Sequence, residues 1–471
     1  MPNILLIDDD TDLLEYVRDE LNGLGHVVEC LDCPQQGLDR LTESGFDVVV
    51  LDNSMPRITG LDFLEKLPAR GITVPVILMT GIPSTYINIR ATVLGAVRYV
   101  IKPDDYRGLV DKLHSEITRF LDNLWESDRA LKSPRRNSPD LPDGAVLVGD
   151  SAPMQEVCHR IGLFAPHRPT VLIRGETGTG KELVARAIHD ASPRGGKPFH
   201  AVNSAAISSG VAGSELFGHV KGAFTGADRD KQGWFEVADG GTLFFDEIGD
   251  MAPDKQRYLL RVLQNPVITR VGCTKAIKVD VRVLAATHQN LPRMVEEGRF
   301  REDLYYRLDR FVIRVPPLRE RAEDIPALVD RFLRREAKET GRSAPPVTDA
   351  TMGLIRSHTW PGNVRELENV ITRAYANSQG RTILPSHVEL GRGDTPAATA
   401  EDEAMAGLRK AIEWAWNGKE QKPLPLLQEL VEKELIRVAL QRLGDNRESA
   451  ADRIGMSKTT LYKRMTQYGL E

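Results

Sequence analysis

Four short apolar runs, Ile4-Leu5-Leu6-Ile7, Val48-Val49-Val50-Leu51, Val76-Ile77-Leu78-Met79 and Tyr99-Val100-Ile101, alternate with helical stripes in the first 125 residues. Runs this short, with no polar alternation, fit strands buried on both faces. Their alternation with helices predicts a doubly wound, flavodoxin-like α/β domain. A second α/β pattern opens at Val171-Leu172-Ile173 and continues through the helical positions Leu183, Val184, Ala187 and Ile188 to the apolar stretches Thr242 to Phe245 and Val281 to Ala286. The end of the chain carries two short helical patterns, Glu448 to Ile454 and Ser457 to Tyr468, separated by Gly455-Met456. That is the outline of an all-α helix-turn-helix, with Ser457 as N-cap of the second helix.

Two stretches break these patterns. Leu131 to Gly144 is rich in Pro, Ser and charge, and Gly391 to Glu403 is small, polar and poor in apolar residues, so both are connectors without a core. The expected organisation is a first domain over 1–125, a linker over 126–145, a second domain over 146–390, a linker over 391–424 and a last domain over 425–471. Leu109, Leu113, Ile117, Leu121 and Leu124 recur at spacings of three and four. This stripe fits a dimerising helix that runs past the first domain, or equally the last helix packing on its own domain. A short stripe within 404–424 (Leu408, Ile412, Trp416) suggests no function.

Composition changes this picture little. With 471 residues, 62 Lys+Arg against 67 Asp+Glu and a net charge of −5, any nucleic-acid contact has to come from a local basic patch. No basic leader precedes the first strand and no uncharged stretch approaches the ~18 residues of a membrane span, so a cytoplasmic protein without membrane contact is expected. Cys30 and Cys33 have redox-like spacing, but four cysteines without a second pair or histidine cluster suit a strand end and turn.

Chemistry sits at the strand ends of the first domain. Asp8 and Asp9 follow the first run, Asp52 the second, Thr80 the third and Lys102 the last, all at carboxyl ends, where open α/β sheets place their sites. Carboxylates beside a lysine fit a Mg²⁺ site that neutralises an incoming phosphoryl group. With Asp52-x-x-Met55-Pro56 and Lys102-Pro103, residues 1 to about 120 resemble response-regulator receivers. That resemblance implies Asp52 as phosphoacceptor, Asp8, Asp9 and Asp52 around the metal, and Thr80 and Lys102 as phosphoryl contacts. Tyr99 occupies the family's aromatic switch position, though a partly buried strand tyrosine fits as well.

In the second domain, a strand leads into Gly175-Glu176-Thr177-Gly178-Thr179-Gly180-Lys181-Glu182 and then a helix. This is the context of a phosphate-cradling P-loop, with Lys181 reaching the β- and γ-oxygens. Glu182 stands where Ser or Thr is usual, which leaves Mg²⁺ to waters and Asp246. Asp246 and Glu247, after an apolar strand, fit a Walker B pair, with Glu247 polarising the attacking water. Between these motifs lies Gly222-Ala223-Phe224-Thr225-Gly226-Ala227, whose glycines suit a flexible loop tip presenting Phe224 and Thr225. From Gly149 to about Leu390 the chain resembles the AAA+ domain of bacterial enhancer-binding proteins, a P-loop α/β domain with a helical lid. In that family the hexapeptide caps the loop that touches sigma-54. The resemblance implies that Asn203 restrains the Walker B glutamate, that Thr287-His288 is sensor I and that Arg365, in Trp360-Pro-Gly-Asn-Val-Arg365, is sensor II. It also implies that Arg301 and Arg307 are supplied across subunits of a ring, where such an arginine is worth ~10³ to 10⁵ in rate.

The last helix carries Lys458, Lys463 and Arg464 and no acid, with Thr459, Thr460 and Tyr462 suited to bases and phosphates. From Glu432 onward the chain resembles the Fis-type domain, in which the preceding helix, here around Leu435, Val438 and Leu443, makes a dimer. The three resemblances together imply a two-component response regulator that binds enhancer DNA, answers to a sensor histidine kinase, and assembles on phosphorylation from a dimer into a hexameric or heptameric ring. ATP and Mg²⁺ would then drive remodelling of sigma-54 RNA polymerase. Two other functions fit parts of the pattern: a DNA-binding switch whose nucleotide site only stabilises assembly, and an AAA+ remodeller of another client.

Overall fold

The computed structural model describes residues 1–43, 45–103, 105–126, 147–206, 212–225, 227–390, 423–442 and 447–469. The expected connectors Leu131 to Gly144 and Gly391 to Glu403 lie outside them, as do the stripe Leu408, Ile412 and Trp416, and also Gly226 and Leu443. Two compact units divide the chain, one ending at Gly393 and the other beginning at Asp394.

The first unit opens with β1 (Asn3–Ile7), α1 (Thr11–Gly23), β2 (Val27–Leu31), α2 (Pro34–Glu43), β3 (Val48–Asp52), α3 (Gly60–Ala69), β4 (Val76–Thr80), α4 (Thr85–Val93), β5 (Ala96–Ile101) and α5 (Tyr106–Glu126). The strands form one parallel sheet in the order β2-β1-β3-β4-β5. All four apolar runs are strands. The strand without such a run, β2, lies at the sheet edge with only Val28 well covered, so the sheet does not demand a continuous apolar sequence there. Leu109, Leu113 and Ile117 on α5 are fully covered by the sheet's core and Leu121 packs on its margin. These positions serve the domain's own fold, whereas the side chain of Leu124 lies outside the described residues. Cys30 belongs to β2, Cys33 follows it, and both are free thiols.

The same unit continues with α6 (Ala152–Phe164), β6 (Val171–Arg174), α7 (Lys181–Asp190), β7 (Phe199–Asn203), α8 (Ala212–Phe217), β8 (Gly218–His219), β9 (Lys231–Gln232), α9 (Trp234–Val237), β10 (Thr242–Asp246), α10 (Pro253–Gln264), β11 (Val267–Thr269), β12 (Ala276–Lys278), β13 (Arg282–Thr287), α11 (Leu291–Glu296), α12 (Glu302–Leu308) and β14 (Phe311–Arg314). A parallel sheet in the order β14-β6-β13-β10-β7 carries the domain, and two short antiparallel pairs, β8 with β9 and β11 with β12, project from it. The helices α13 (Ile325–Glu339), α14 (Asp349–Ser357) and α15 (Asn363–Ser378) form a lid around Trp360, which is fully buried and donates its indole N–H to the Ile355 carbonyl at 2.9 Å.

Buried Arg282 fixes the end of α6. Its guanidinium donates to the Ala165 and Phe164 carbonyls at 2.6 and 2.8 Å, and burial pushes its pKa down to about 10. Carbonyls left over at a helix end need such donors, and the hydrogen bonds offset the cost of burying the charge. In the second unit α16 (Pro423–Arg442), α17 (Arg447–Ile454) and α18 (Lys458–Tyr468) close on a small core of Ile436, Leu440, Ala450, Ala451, Leu461 and Met465.

Candidate functional site

The nucleotide loop runs from the end of β6 to the start of α7. Gly178 and Gly180 take the left-handed conformation (φ 79 and 98), which other residues adopt only with strain. At Gly178 a Cβ would also sit 2.3 Å from the Gly362 carbonyl oxygen, so the loop lies directly against the lid. The lid grips it further. The Val364 and Arg365 N–H groups donate to the Gly178 carbonyl at 3.0 and 3.3 Å, and the Asn363 amide donates to Thr177 O and Glu176 Oε2 at 3.0 and 3.1 Å. Arg319 holds both Glu176 oxygens at 2.6 and 2.8 Å. Within the loop the Gly175 N–H donates to Thr287 O at 3.2 Å, and the buried Thr179 hydroxyl donates to Glu176 O at 2.8 Å. Glu182 is exposed on the first turn of α7, and Arg365 is exposed on α15.

Lys181 is buried at the mouth of this loop. Its ammonium donates to the carbonyls of Gly175 and Glu176 at 3.1 and 3.3 Å and pairs with Glu247 Oε1 at 3.0 Å. The other oxygen of Glu247 accepts the His288 N–H at 3.1 Å and lies 2.7 Å from His288 Nδ1. Burial alone would push the Glu247 carboxyl up. The hydrogen bonds from His288 and Lys181 outweigh it and leave the group below its ordinary range. Asp246 beside it is raised, first by burial and then by the Glu247 charge. Asn203 sits opposite Asp246 in the β7–β10 register, exposed, with its side-chain oxygen accepting the Ala205 N–H at 2.9 Å. Arg301 is exposed and pairs with Asp303 at 2.8 Å; Arg307 donates to the Leu263 carbonyl at 2.7 Å.

Phe224 and Thr225 are both exposed, on the segment between β8 and β9. The turn closes on itself through backbone bonds, Gly222 N–H to Ala227 O at 2.9 Å and Ala227 N–H to Phe224 O at 3.0 Å. Phe224 meets His219 edge-on at 5.0 Å. A second projection supports it. Val220 N–H donates to Val271 O, Val271 N–H donates to Gly218 O, and Ala223 packs so close to Gly272 that a Cβ there would lie 2.7 Å away.

In the first domain the expected cluster is assembled. Ligand atoms of Asp8, Asp9 and Asp52 all lie within 4.8 Å of one another, and Lys102 Nζ lies 2.6 Å from Asp8 Oδ2 and 2.7 Å from Asp52 Oδ1. Burial raises the Asp8 carboxyl despite that lysine. Thr80, buried at the next strand end, donates its hydroxyl to Ile82 O and accepts the Ile82 N–H, at 3.1 and 3.2 Å. Two residues on, Ser84 caps α4 and donates its N–H to the Tyr99 hydroxyl at 3.1 Å; burial pushes that phenol up to about 12.

The far face of α4 packs on α6. Ile89 and Val93 join the core of Met154, Val157, Cys158 and Ile161. The Thr85 hydroxyl donates to Leu147 O at 2.7 Å, and a Cβ on Gly162 would lie 2.6 Å from Thr92 Cβ. The Thr92 hydroxyl donates to Asn88 O at 2.9 Å, so His159 Nδ1 at 3.3 Å carries the proton and its Nε2 accepts from Arg98 at 3.3 Å. Burial, then the Arg98 charge, lowers the pKa of His159.

On α18, Ser457 is the N-cap as expected, its hydroxyl accepting the Thr460 N–H at 3.1 Å. Lys458, Thr459, Thr460, Tyr462 and Lys463 are exposed. Arg464 is only half exposed and pairs with Glu432 on α16 at 3.0 Å, while Lys458 lies 3.4 Å from Glu448. Val431, Leu435 and Val438 line an exposed apolar face of α16.

Residues 4–114 match the family model of the response regulator receiver domain, 147–314 that of the sigma-54 interaction domain, 319–404 that of the AAA+ ATPase lid domain, and 428–468 that of the Fis family of bacterial regulatory proteins. Over 467 residues, 99% of both chains, the sequence is 40% identical to transcriptional regulatory protein ZraR of Klebsiella oxytoca. It is 39% identical to DNA-binding transcriptional regulator NtrC of Klebsiella pneumoniae, over 99% of this chain and 98% of that one. The chain belongs to the sigma-54-dependent response regulators. The solved structure of NtrX from Brucella abortus in complex with ADP is similar across 99% of both chains, at 29% identity and a TM-score of 0.50. As in this family generally, the middle domain is a nucleotide-binding ATPase, flanked by a receiver and a DNA-binding domain. No described helix is long and apolar enough to cross a membrane.

The structure also shows what the motifs alone leave out. Asn363 has a left-handed backbone (φ 55) and joins lid to P-loop, although the motif drew attention only to Arg365 two residues on. The β11–β12 hairpin was signalled by Val267-x-Thr269, a glycine at 272 and Ala276 to Lys278, a strand–turn–strand pattern too short to stand out.

Proposed function

We propose that this regulator binds distant enhancer-like DNA, is switched by phosphorylation of Asp52, assembles into a ring, and uses ATP hydrolysis at Lys181, Asp246 and Glu247 to drive the tip Phe224–Thr225 against sigma-54 polymerase. The observation that carries this reading is the packing of α4 on α6 of the ATPase domain; Thr80, on the strand next to that of Asp52, holds the backbone of Ile82, two residues before the Ser84 cap of α4, and the Ser84 N–H meets the Tyr99 hydroxyl. A phosphoryl group on Asp52 would compete for the Thr80 hydroxyl. Turning that hydroxyl breaks its bonds to Ile82, shifts the cap of α4 and loosens the α4–α6 contact, a two-state coupling of the kind that small local shifts can drive. The receiver then restrains the ATPase domain until it is phosphorylated. Asp8, Asp9 and Asp52, clustered and acid-only, suit Mg²⁺, which would screen the phosphoryl charge; Asp246 suits the metal that accompanies ATP. In a ring, Arg301 and Arg307 would answer a neighbour's nucleotide, a role supported by their having no hydrogen bond to their own P-loop among the described contacts. The exposed face Val431–Leu435–Val438 suits pairing of two DNA-binding domains.

A small-molecule phosphodonor should raise ATP turnover of the full chain on the order of tenfold and increase its sedimentation coefficient, while Asp52→Asn should show neither response. Equal responses of the two proteins would dismiss Asp52 as the switch. Lys463→Ala should weaken binding to enhancer DNA and lower the slope of log affinity against log salt by about one, as loss of one phosphate contact requires. Arg464→Ala should change that slope less and lower the melting temperature of the DNA-binding domain more, because Arg464 is already paired with Glu432. Titrations across salt concentrations check both, and an unaltered slope for Lys463→Ala would remove it from the phosphate contacts.

A further inference from the structure

We propose that Arg174, the last residue of β6, couples the nucleotide loop of one subunit to the arginines that the same subunit offers its neighbour. This rests on the reading of Arg301 and Arg307 as groups acting on a neighbour's nucleotide. Arg174 stands immediately before the P-loop, next to Gly175, whose carbonyl accepts from the Lys181 ammonium at 3.1 Å. Its guanidinium reaches α12. Nη2 lies 2.6 Å from Asp309 Oδ1 and 3.5 Å from the Tyr305 hydroxyl, and the guanidinium carbon lies 5.8 Å from the centre of the Tyr305 ring. The Tyr305 hydroxyl donates to the other Asp309 oxygen at 3.0 Å, which closes a triangle of partly buried side chains.

The helix gripped in this way is the one that carries the arginines. α12 has seven residues, too few to hold its own position, with Arg301 as N-cap and Asp309 as C-cap. Tyr305 and Asp309, four apart, share the face toward β6, while Arg307, two positions from each, lies on the opposite face and reaches the Leu263 carbonyl. Among the described contacts the other polar ties of α12 to its surroundings come from α10, where Gln256 accepts the Arg301 N–H at 2.8 Å and Leu263 accepts from Arg307. Among the described hydrogen bonds and ion pairs, Arg174 is therefore what joins α12 to the strand that ends in the nucleotide loop. Arg174 Nε is buried without a partner among the described residues, so the tie runs through Nη2 and a small shift of the strand end reaches Asp309 directly. Phosphates entering the loop draw Lys181 off the Gly175 carbonyl. The Gly175 peptide then resets, Arg174 moves with it, and α12 shifts as one piece with Arg301 and Arg307 on it. A subunit holding ATP thereby presents its arginines differently from an empty one, which couples the sites around a ring.

The test is ATP hydrolysis by the phosphodonor-treated full chain, followed against ATP concentration, for wild type, Arg174→Gln, Arg174→Lys and Asp309→Asn. Wild type should respond cooperatively. Arg174→Gln and Asp309→Asn should bring the Hill coefficient to about one and lower kcat about tenfold, a fraction of the ~10³ to 10⁵ that an arginine acting across subunits is worth. Arg174→Lys keeps a cation beside Asp309 and should recover most of both. Binding of a non-hydrolysable ATP analogue within about threefold of wild type shows that a variant is folded at this site, and its sedimentation coefficient shows that it assembles. Four results would overturn the proposal: a wild type without cooperativity, an unchanged Hill coefficient in Arg174→Gln, a loss confined to KM, or a lysine variant no better than the glutamine variant. Mixing Arg307→Ala with Glu247→Ala subunits separates this proposal from the reading beneath it. Turnover regained in the mixture requires an arginine acting across subunits, so failure of the Arg174 variants would then discard the relay alone. No regain would discard that reading of Arg307 and the relay with it.

Discussion

Glu247→Ala is expected to give a protein that binds ATP at least as tightly as wild type and hydrolyses it roughly 10² to 10⁴-fold more slowly. The two halves of that expectation have separate causes. Turnover falls because no other acceptor among the described residues of the site is free to orient water: Asp246 is reserved for the metal in this mechanism, and the Asn203 side-chain oxygen already accepts the Ala205 N–H. Affinity holds or improves because, in the resting protein, Lys181 and Glu247 form a buried pair at 3.0 Å that ATP must displace before its phosphates can reach the ammonium. Removing the carboxylate removes that competitor and leaves, among the described contacts, the Gly175 and Glu176 carbonyls as the partners the lysine must leave. Breaking a buried pair also leaves one charge uncompensated, so the empty variant should melt at a lower temperature and regain stability when nucleotide is added. Calorimetric titration with ATP, phosphate release and thermal melts with and without nucleotide check the three parts. Normal phosphate release would reject Glu247 as the catalytic group, and a weakened affinity would mean that its charge helps to build the pocket.

What the sequence disclosed and what it hid divide along the distance over which each residue acts. The P-loop was legible because its glycines, lysine and flanking strand are contiguous, and the sheet strands were legible because burial on both faces leaves no polar alternation. Asp8, Asp52 and Lys102 could be brought together on paper because a parallel sheet puts all its strand ends on one side, and the structure places them within ion-pairing distance. The lid's grip on the loop was hidden: Asn363 and Arg319 act on Glu176 from more than a hundred residues away, and no local spacing encodes that. The same holds for Glu247, whose partner depends on which neighbouring strand its side chain faces. The charge of its helix suggested a DNA contact for Arg464, and what the helix could not show is that the packing of α16 against α18 also supplies Glu432 as a partner. The stripe on α5 was ambiguous for a related reason, since three- and four-residue spacing reports an apolar face but not what covers it. Here the sheet covers Leu109, Leu113 and Ile117.

Thr225→Ala should abolish open-complex formation at a sigma-54 promoter while ATP hydrolysis and DNA binding persist. The expectation is sharp because the substitution is so small. Thr225 is exposed, and the bonds that shape the turn, Gly222 to Ala227, Ala227 to Phe224 and Ala223 to Val220, all run between backbone groups, so loss of one hydroxyl and one methyl leaves the fold of the tip intact. The supporting contacts through Val220, Val271 and Gly272 are likewise untouched. Lys181, Asp246 and Glu247 belong to other segments and none contacts the tip among the described interactions. Phe224→Ala is the less informative change, because it also removes the ring that packs edge-on against His219 and so alters the loop as well as its surface. A contact that transmits work to a partner loses most of its effect when its central group is trimmed, whereas a merely structural turn tolerates the same trimming. In vitro transcription with sigma-54 polymerase, run beside ATPase and DNA-binding measurements on one preparation, distinguishes the two. Wild-type transcription by Thr225→Ala, or a defect confined to ATP affinity, would take the tip out of the proposed contact and leave the proposed coupling to polymerase without a surface.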